Sequence, residues 1–201
     1  MNNELKDGDR HQQRQQKLKE KVDQKIDNAQ IERGLVLVIT GNGKGKSSSA
    51  FGVVARSVGH GFKAKVVQFI KGTWACGERE LLEKNDVEFA VMATGFTWET
   101  QNKDKDRDAA LAVWEQAKAF LQDESVYVVV LDELTYMLSY DYIDVDEVIA
   151  YIQNRPREQS VVVTGRAAHR KLIEVADTVS EVRNVKHGFD SGLKARIGID
   201  W

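Results

Sequence analysis

The chain has 201 residues, 42% of them hydrophobic, with 29 Lys and Arg against 31 Asp and Glu for a formal charge of −2. That length suits one domain with a tail, and the near balance of charge gives no basic field to recruit nucleic acid. The single cysteine, Cys76, excludes an internal disulfide and a cysteine-rich zinc site.

Residues 1–33 are rich in Gln, Lys, Arg and Asp and poor in large apolar side chains. Leu18, Val22 and Ile26 recur every fourth position, which draws one thin apolar stripe along a helical arm. Such a segment is either a loosely helical, flexible tail or an arm that folds over a site as a lid. It carries no apolar signal core, and no apolar run in the chain is long enough to span a bilayer. A soluble, cytoplasmic protein that contacts neither membrane nor nucleic acid is expected.

From Leu35 onward strand and helix patterns alternate. Strands are expected at 35–40, 64–69, 87–92, 126–131, 160–164 and 178–182. Helices are expected at 46–58, 78–83, 104–121, 145–154 and 168–175, the fourth stopped by Pro156. The run Val-Tyr-Val-Val-Val-Leu at 126–131 is continuous enough for a central parallel strand. The fold class is therefore α/β: a mostly parallel sheet built from right-handed β-α-β units, with helices on both faces. Residues 34–201 form this single domain, with no internal repeat or dividing linker. Ligands in such sheets sit at the carboxyl ends of the strands.

One such end carries Thr40-Gly41-Asn42-Gly43-Lys44-Gly45-Lys46-Ser47-Ser48. Strand, glycine-rich turn, Gly-Lys-Ser and helix together make a phosphate cradle. Glycine lets the backbone reach left-handed angles and close approach, the helix N-terminus adds partial positive charge, and Lys46 adds a full one. The Ser47 hydroxyl is placed to meet Mg²⁺. The motif's usual first glycine falls on Thr40, with glycine one place later at Gly41. A nucleoside triphosphate is the expected ligand.

Asp132 and Glu133 directly follow the 126–131 run, the position where phosphate-loop enzymes hold their metal. The alternative role for Asp132 is that of an N-cap for a turn beginning at Leu134; the loop upstream favours the metal role. Arg56, Lys71 and Arg166 are cations able to complement triphosphate, or else solvated surface charges. Phe96 and Trp98 stand two apart just after Gly95, in an otherwise polar stretch. They are either core residues of an irregular strand or the walls of a flat apolar surface, and Trp74 poses the same choice more weakly. No two of the four histidines, His11, His60, His169 and His187, are spaced as a metal pair on one helix face. They read as surface or hydrogen-bonding residues.

Five segments resemble one family, the bacterial ATP:corrinoid adenosyltransferases (cob(I)alamin adenosyltransferases) of the phosphate-loop type. They are TGNGKGKS at 40–47, VVQFIKGTW at 66–74, VMATGFTWETQN at 91–102, VVLDELTYM at 129–137 and VKHGFDSGLKARIGID at 185–200. The family usually has Thr-Thr where this chain has Ser47-Ser48, and its own pattern includes the displaced first glycine. The resemblance implies a phosphate-loop NTPase (RecA-like) architecture and transfer of the 5′-deoxyadenosyl group of ATP to Co(I) of a reduced corrinoid, cobalamin or cobinamide. Triphosphate is the other product, and adenosylcobalamin synthesis or salvage the setting. It also implies a homodimer, Mg²⁺ (or Mn²⁺) and an electron donor such as reduced flavodoxin. The nucleotide would lie along Gly41, Asn42, Gly43, Lys44, Gly45, Lys46, Ser47 and Ser48, with Arg56 and Arg166 as further cations and Ser47, Asp132 and Glu133 around the metal. ATP would run along the loop in the reverse of its usual direction. Phe96 and Trp98 would pack beneath the corrin and displace its lower axial ligand. A small-molecule kinase or NTPase, or a nucleotide-dependent binding module without turnover, are the competing expectations from the loop alone.

Overall fold

The computed structural model describes residues 2–70, 76–92 and 103–200. It divides into two units, Met1–Glu32 and Arg33–Trp201. The first holds helix α1, Asn2–Asn28. Leu18, Val22 and Ile26 do lie on a helix, and all three are exposed.

The second unit contains β1 (Val36–Thr40), α2 (Lys46–Gly59), β2 (Ala64–Gln68), α3 (Gly77–Glu83), β3 (Glu88–Val91) and α4 (Lys103–Gln122). It continues with β4 (Val128–Asp132), α5 (Leu134–Ser139), α6 (Val145–Gln153), β5 (Ser160–Thr164), α7 (Arg170–Val175), β6 (Thr178–Glu181) and a 3₁₀ turn at Gly188–Ser191. The six strands form one sheet in the order β3-β2-β4-β5-β1-β6. Every pairing is parallel.

Alternation along the strands divides the core between the two faces. Val129 and Leu131 of β4 join Val161 and Val163 of β5 in one cluster with Trp114, Met137, Ile152 and Leu172 from α4 to α7. Val128, Val130 and Val162 point the other way, onto Ala50, Phe51 and Val54 of α2 and Leu82 of α3. A sheet covered on both faces needs apolar side chains at every position of its central strands, which is why β4 reads as an unbroken apolar run. The edge strand β6 is exposed along its whole length.

Most element ends lie within two residues of the expected ones, and side-chain caps account for several of them. Asp144 accepts from the N–H groups of Asp146 and Glu147 at 2.8 and 2.9 Å and starts α6. The helix stops at Gln153, before Pro156, where the Arg155 guanidinium donates to the Ile152 carbonyl at 2.5 Å. His169 and His187 accept from Lys171 N–H and Phe189 N–H at 3.2 and 3.1 Å, capping α7 and the 3₁₀ turn. Both are hydrogen-bonding residues, in line with the sequence reading. Helix α5 was not expected as an element: only a turn beginning at Leu134 was. It opens from Glu133 in a left-handed conformation, φ 62°, a start that no side-chain capping signal marks.

Candidate functional site

The carboxyl ends of β1, β2, β4 and β5 lie along one edge of the parallel sheet, the edge from which the glycine-rich loop leaves β1. Thr40 closes β1 and pairs with Glu181 of β6. Its hydroxyl accepts from Ala168 N–H at 3.2 Å, so the motif's first position is occupied by a strand residue with a structural task. The turn itself begins at Gly41, φ 104°. A Cβ there would lie 2.5 Å from the Val182 carbonyl oxygen, and one on Gly43 would lie 2.7 Å from that of Arg183. Gly43 N–H donates to the Val182 carbonyl at 2.7 Å, and Val182 N–H donates to the Thr40 carbonyl at 2.7 Å. The loop is thus backed by the strand-exit segment 182–183, and glycine is required where the two backbones touch.

Gly45 is the N-cap of α2, with φ 111° and no side-chain hydrogen bond to the first turn. The helix therefore opens toward the loop with N–H groups that its own cap does not take up, the arrangement that suits an incoming phosphate. Lys46 is only 7% exposed. Its ammonium donates to the Gly43 carbonyl at 2.8 Å and so curls back over the loop. Burial lowers its pKa, Arg166 lowers it further, and Glu133 and Asp132 pull it back up. These four groups therefore share one electrostatic neighbourhood. Lys44 instead turns outward and pairs with Asp200. Asn42 and Ser48 are exposed, while Gly41 and Ser47 are half-buried. The Ser48 hydroxyl is 3.5 Å from Glu78.

Across the sheet, Asp132 is fully buried at the end of β4. Its Oδ1 accepts from the Thr164 hydroxyl at 2.7 Å and its Oδ2 from the Gln68 amide at 3.3 Å. Asp132 is thus not the N-cap of the following helix; Glu133 occupies that position. Gly165, φ 136°, lets the chain turn beside Thr135, whose hydroxyl would lie 2.0 Å from an added Cβ. That hydroxyl donates to the Arg166 carbonyl at 2.7 Å and fixes the turn presenting the exposed Arg166 side chain.

Not every candidate is brought together. Arg56 sits in the last turn of α2, ten residues beyond Lys46 and so roughly 15 Å along the helix axis from the loop. Phe96 and Trp98 lie outside the described residues, as do Lys71 and Trp74. Gln68, Thr164 and Asp200 were missed by sequence reasoning. A polar residue ending an apolar strand, as in Ala-Lys-Val-Val-Gln and Ser-Val-Val-Val-Thr, was the available signal for the first two.

Fold and loop together define an α/β protein of the phosphate-loop NTPase type. Residues 32–201 match the family model for ATP:corrinoid adenosyltransferase BtuR/CobO/CobP, and residues 3–26 match that for the N-terminal part of cob(I)alamin adenosyltransferase. The chain is 58% identical over 193 residues to the corrinoid adenosyltransferase of Escherichia coli (strain K12), covering 96% of this chain and 98% of that one. It is equally similar, over the same shares, to the corrinoid adenosyltransferase CobA of Salmonella typhimurium. To the corrinoid adenosyltransferase of Pseudomonas aeruginosa it is 49% identical over 203 residues, the whole of both chains. The chain belongs to the ATP:corrinoid adenosyltransferase family.

Proposed function

We propose that this chain transfers the 5′-deoxyadenosyl group of ATP to the cobalt of a reduced corrinoid by gripping the triphosphate along Gly41–Ser48. Co(I) attacks C5′ and gives both electrons of the new Co–C bond. The C5′–O bond breaks, and triphosphate departs with the bonding pair. No proton moves, so no general base is needed; the competing kinase or hydrolase reading would use the same loop but is not favoured by the family to which the chain belongs.

The observation that carries this reading is the buried Lys46, curled over a glycine loop and sharing its electrostatic neighbourhood with Asp132, Glu133 and Arg166. Negative charge grows on the leaving triphosphate, and a cation already in place there stabilises it without reorganisation. The uncapped first turn of α2 adds its N–H dipoles, and Arg166 supplies a second charge at the exit of β5. Arg56, roughly 15 Å along the α2 axis from the loop, would meet the nucleotide away from the phosphates gripped at Lys46.

Ser47, Asp132 and Glu133 offer hydroxyl and carboxylate oxygens, which fit Mg²⁺ and also Mn²⁺. Among the described residues no cluster of three or more His, Cys, Asp or Glu forms a metal cage. In this reading the ion is held by one or two carboxylates and by the nucleotide's own phosphates. When bound, Mg²⁺ would supply charge neutralisation on the triphosphate.

In the same reading Phe96 and Trp98 pack beneath the corrin, and a donor such as reduced flavodoxin delivers the electrons that make Co(I). The protein works in the cytoplasm, where those electrons are at hand. The arm of residues 1–33 serves as a lid, supported by the exposed stripe Leu18, Val22 and Ile26. Two copies form a dimer. Support for this is the run Val185, Phe189, Leu193, Ile197 and Ile199, each at least 66% exposed, since apolar surface of that kind marks contact sites.

The test is product analysis with MgATP and chemically reduced corrinoid. Triphosphate and a light-sensitive Co–C bond are expected. ADP and phosphate would overturn the assignment.

A further inference from the structure

Two acids at the end of β4 face different demands. Asp132 is wholly buried, and Glu133 must hold a left-handed backbone, φ 62°. Both conditions are unfavourable for residues of their type unless neighbouring groups enforce them. One hydroxyl meets both. Thr164, fully buried at the end of β5, lies 2.7 Å from Asp132 Oδ1 and 2.9 Å from the backbone nitrogen of Glu133. Glu133 N–H can only donate, so the hydroxyl oxygen accepts there. Its single proton is then directed at the carboxylate, which accepts. Direction is thereby fixed along a chain from Glu133 N–H through Thr164 to Asp132.

The rest of the carboxylate is fixed as well. Its Oδ2 takes the Gln68 amide N–H at 3.3 Å. The Gln68 carbonyl oxygen is buried and has no hydrogen-bond partner among the described residues. Turning that amide over would set oxygen against oxygen, so it stays as it is. The strand register brings these groups together: Leu131 pairs with Val163 in the β4–β5 ladder, and Asp132 and Thr164 are the next residues of the two strands. Parallel strands in register thus carry the acids and their holder to the same carboxyl edge of the sheet, where Thr164 also pairs with Ile39, just before the loop that opens α2.

We propose that Thr164 is a positioning residue whose hydroxyl holds both Asp132 and Glu133 in the arrangement that receives a divalent cation with ATP. This rests on the cation reading given above. Valine at 164 would keep the shape and β-branching but lose the hydroxyl, whereas serine would keep the hydroxyl.

The experiment measures Mn²⁺ binding to the full-length protein in the presence of ATP by electron paramagnetic resonance. It compares wild type with Thr164→Val, Thr164→Ser, Asp132→Asn and Glu133→Gln, each checked by thermal melting. Groups that orient metal ligands typically matter by about 10- to 100-fold in affinity. Thr164→Val is expected to weaken Mn²⁺ binding on that scale, with Thr164→Ser near wild type. If Thr164→Val does not fold, Thr164→Ala against Thr164→Ser makes the same comparison. Weakening in the acid variants with wild-type binding in Thr164→Val overturns the role of Thr164 and leaves the cation reading standing. Equal impairment in Thr164→Val and Thr164→Ser also overturns it, since the hydroxyl would then be irrelevant. Wild-type binding in both acid variants overturns the cation reading and the role of Thr164 with it.

Discussion

The Lys44 ammonium and the Asp200 carboxylate form an ion pair across 156 positions of sequence. The pair ties the last turn of the chain to the phosphate loop, and Asp200 also accepts from Arg196 N–H at 2.7 Å, which closes that turn on itself. Among the described residues of a single copy, the apolar side chains of this segment lie largely in solvent. Asp200→Asn is expected to speed tryptic cleavage at Lys194 and Arg196 several-fold while leaving the melting temperature nearly unchanged, because exposed ion pairs add little to global stability. Cleavage at the wild-type rate, followed by mass spectrometry, would show that the latch does not hold the segment. Lys44 holds the Asp200 carboxyl below its usual range, so the latch should persist as pH falls into that range and open only below it.

Lys46→Ala removes the one buried cation of the loop. Loss of a well-placed group at a developing anion costs about 2.7–4 kcal/mol. Single-turnover formation of the Co–C bond from pre-reduced corrinoid is expected to fall by roughly 10²- to 10³-fold. Wild-type turnover would remove the loop from the mechanism. The fold should survive, since the Lys46 ammonium has one short-range bond, to the Gly43 carbonyl in its own loop.

Glycine is required at some positions of this region and merely present at others. Gly43→Ala would set a Cβ 2.7 Å from the Arg183 carbonyl oxygen. Forced shifts of that kind cost about 1–3 kcal/mol, so both melting temperature and ATP affinity should drop. Gly52→Ala, on the exposed face of α2, meets nothing within 4 Å. It should raise stability by roughly 0.5–1 kcal/mol through helix propensity alone. Calorimetry on the two variants should therefore give shifts of opposite sign.

These contrasts show what sequence pattern could and could not reach. The apolar runs of β1, β4 and β5 are legible because burial on both faces demands them, and the loop is legible because phosphate binding restricts residue type at fixed spacing. Helix α5 escaped because its first residue, Glu133, starts it by a backbone angle that leaves no compositional trace. Thr164 escaped for a related reason: its role depends on the neighbour that the order β4-β5-β1 gives it, 32 residues away from Asp132. Arg56 lies ten residues beyond Lys46, roughly 15 Å along the axis of α2, a separation that the spacing of the motif does not express. Asp200 reaches Lys44 only through the path of the C-terminal segment, which no local pattern encodes.

If Phe96 and Trp98 displace the lower axial ligand, their value lies in making reduction to Co(I) easier. Alanine at either position should therefore cut activity most when substrate is supplied as the Co(II) form with an enzymatic electron donor. With corrinoid already reduced chemically, the loss should be smaller. Parallel assays from the two starting states check this, and equal losses would mean that the aromatic pair acts in binding or transfer instead.

Asp177 links the start of the core to its last strand. Its carboxylate takes the Arg33 guanidinium, one bond measuring 2.8 Å, and also accepts Val36 N–H at 2.8 Å. Hydrogen bonding from Arg33 is the largest influence, and its pKa is lowered from the usual 3.8 to about 2. Because the folded value is the lower one, folding favours the ionised form. The contribution is complete above the unfolded pKa and disappears as pH falls from there through the folded one. Asp177→Asn, which keeps an acceptor for Val36 N–H but loses the charge, should lower the melting temperature at neutral pH by about 2–4 °C. The gap between wild type and variant should stay constant down to about pH 5, narrow below about pH 4, and close only below about pH 2. Thermal melts of both proteins across that range would show it. A gap that persisted at the acid end would mean that Asp177 acts through shape and hydrogen bonding and that its charge is incidental.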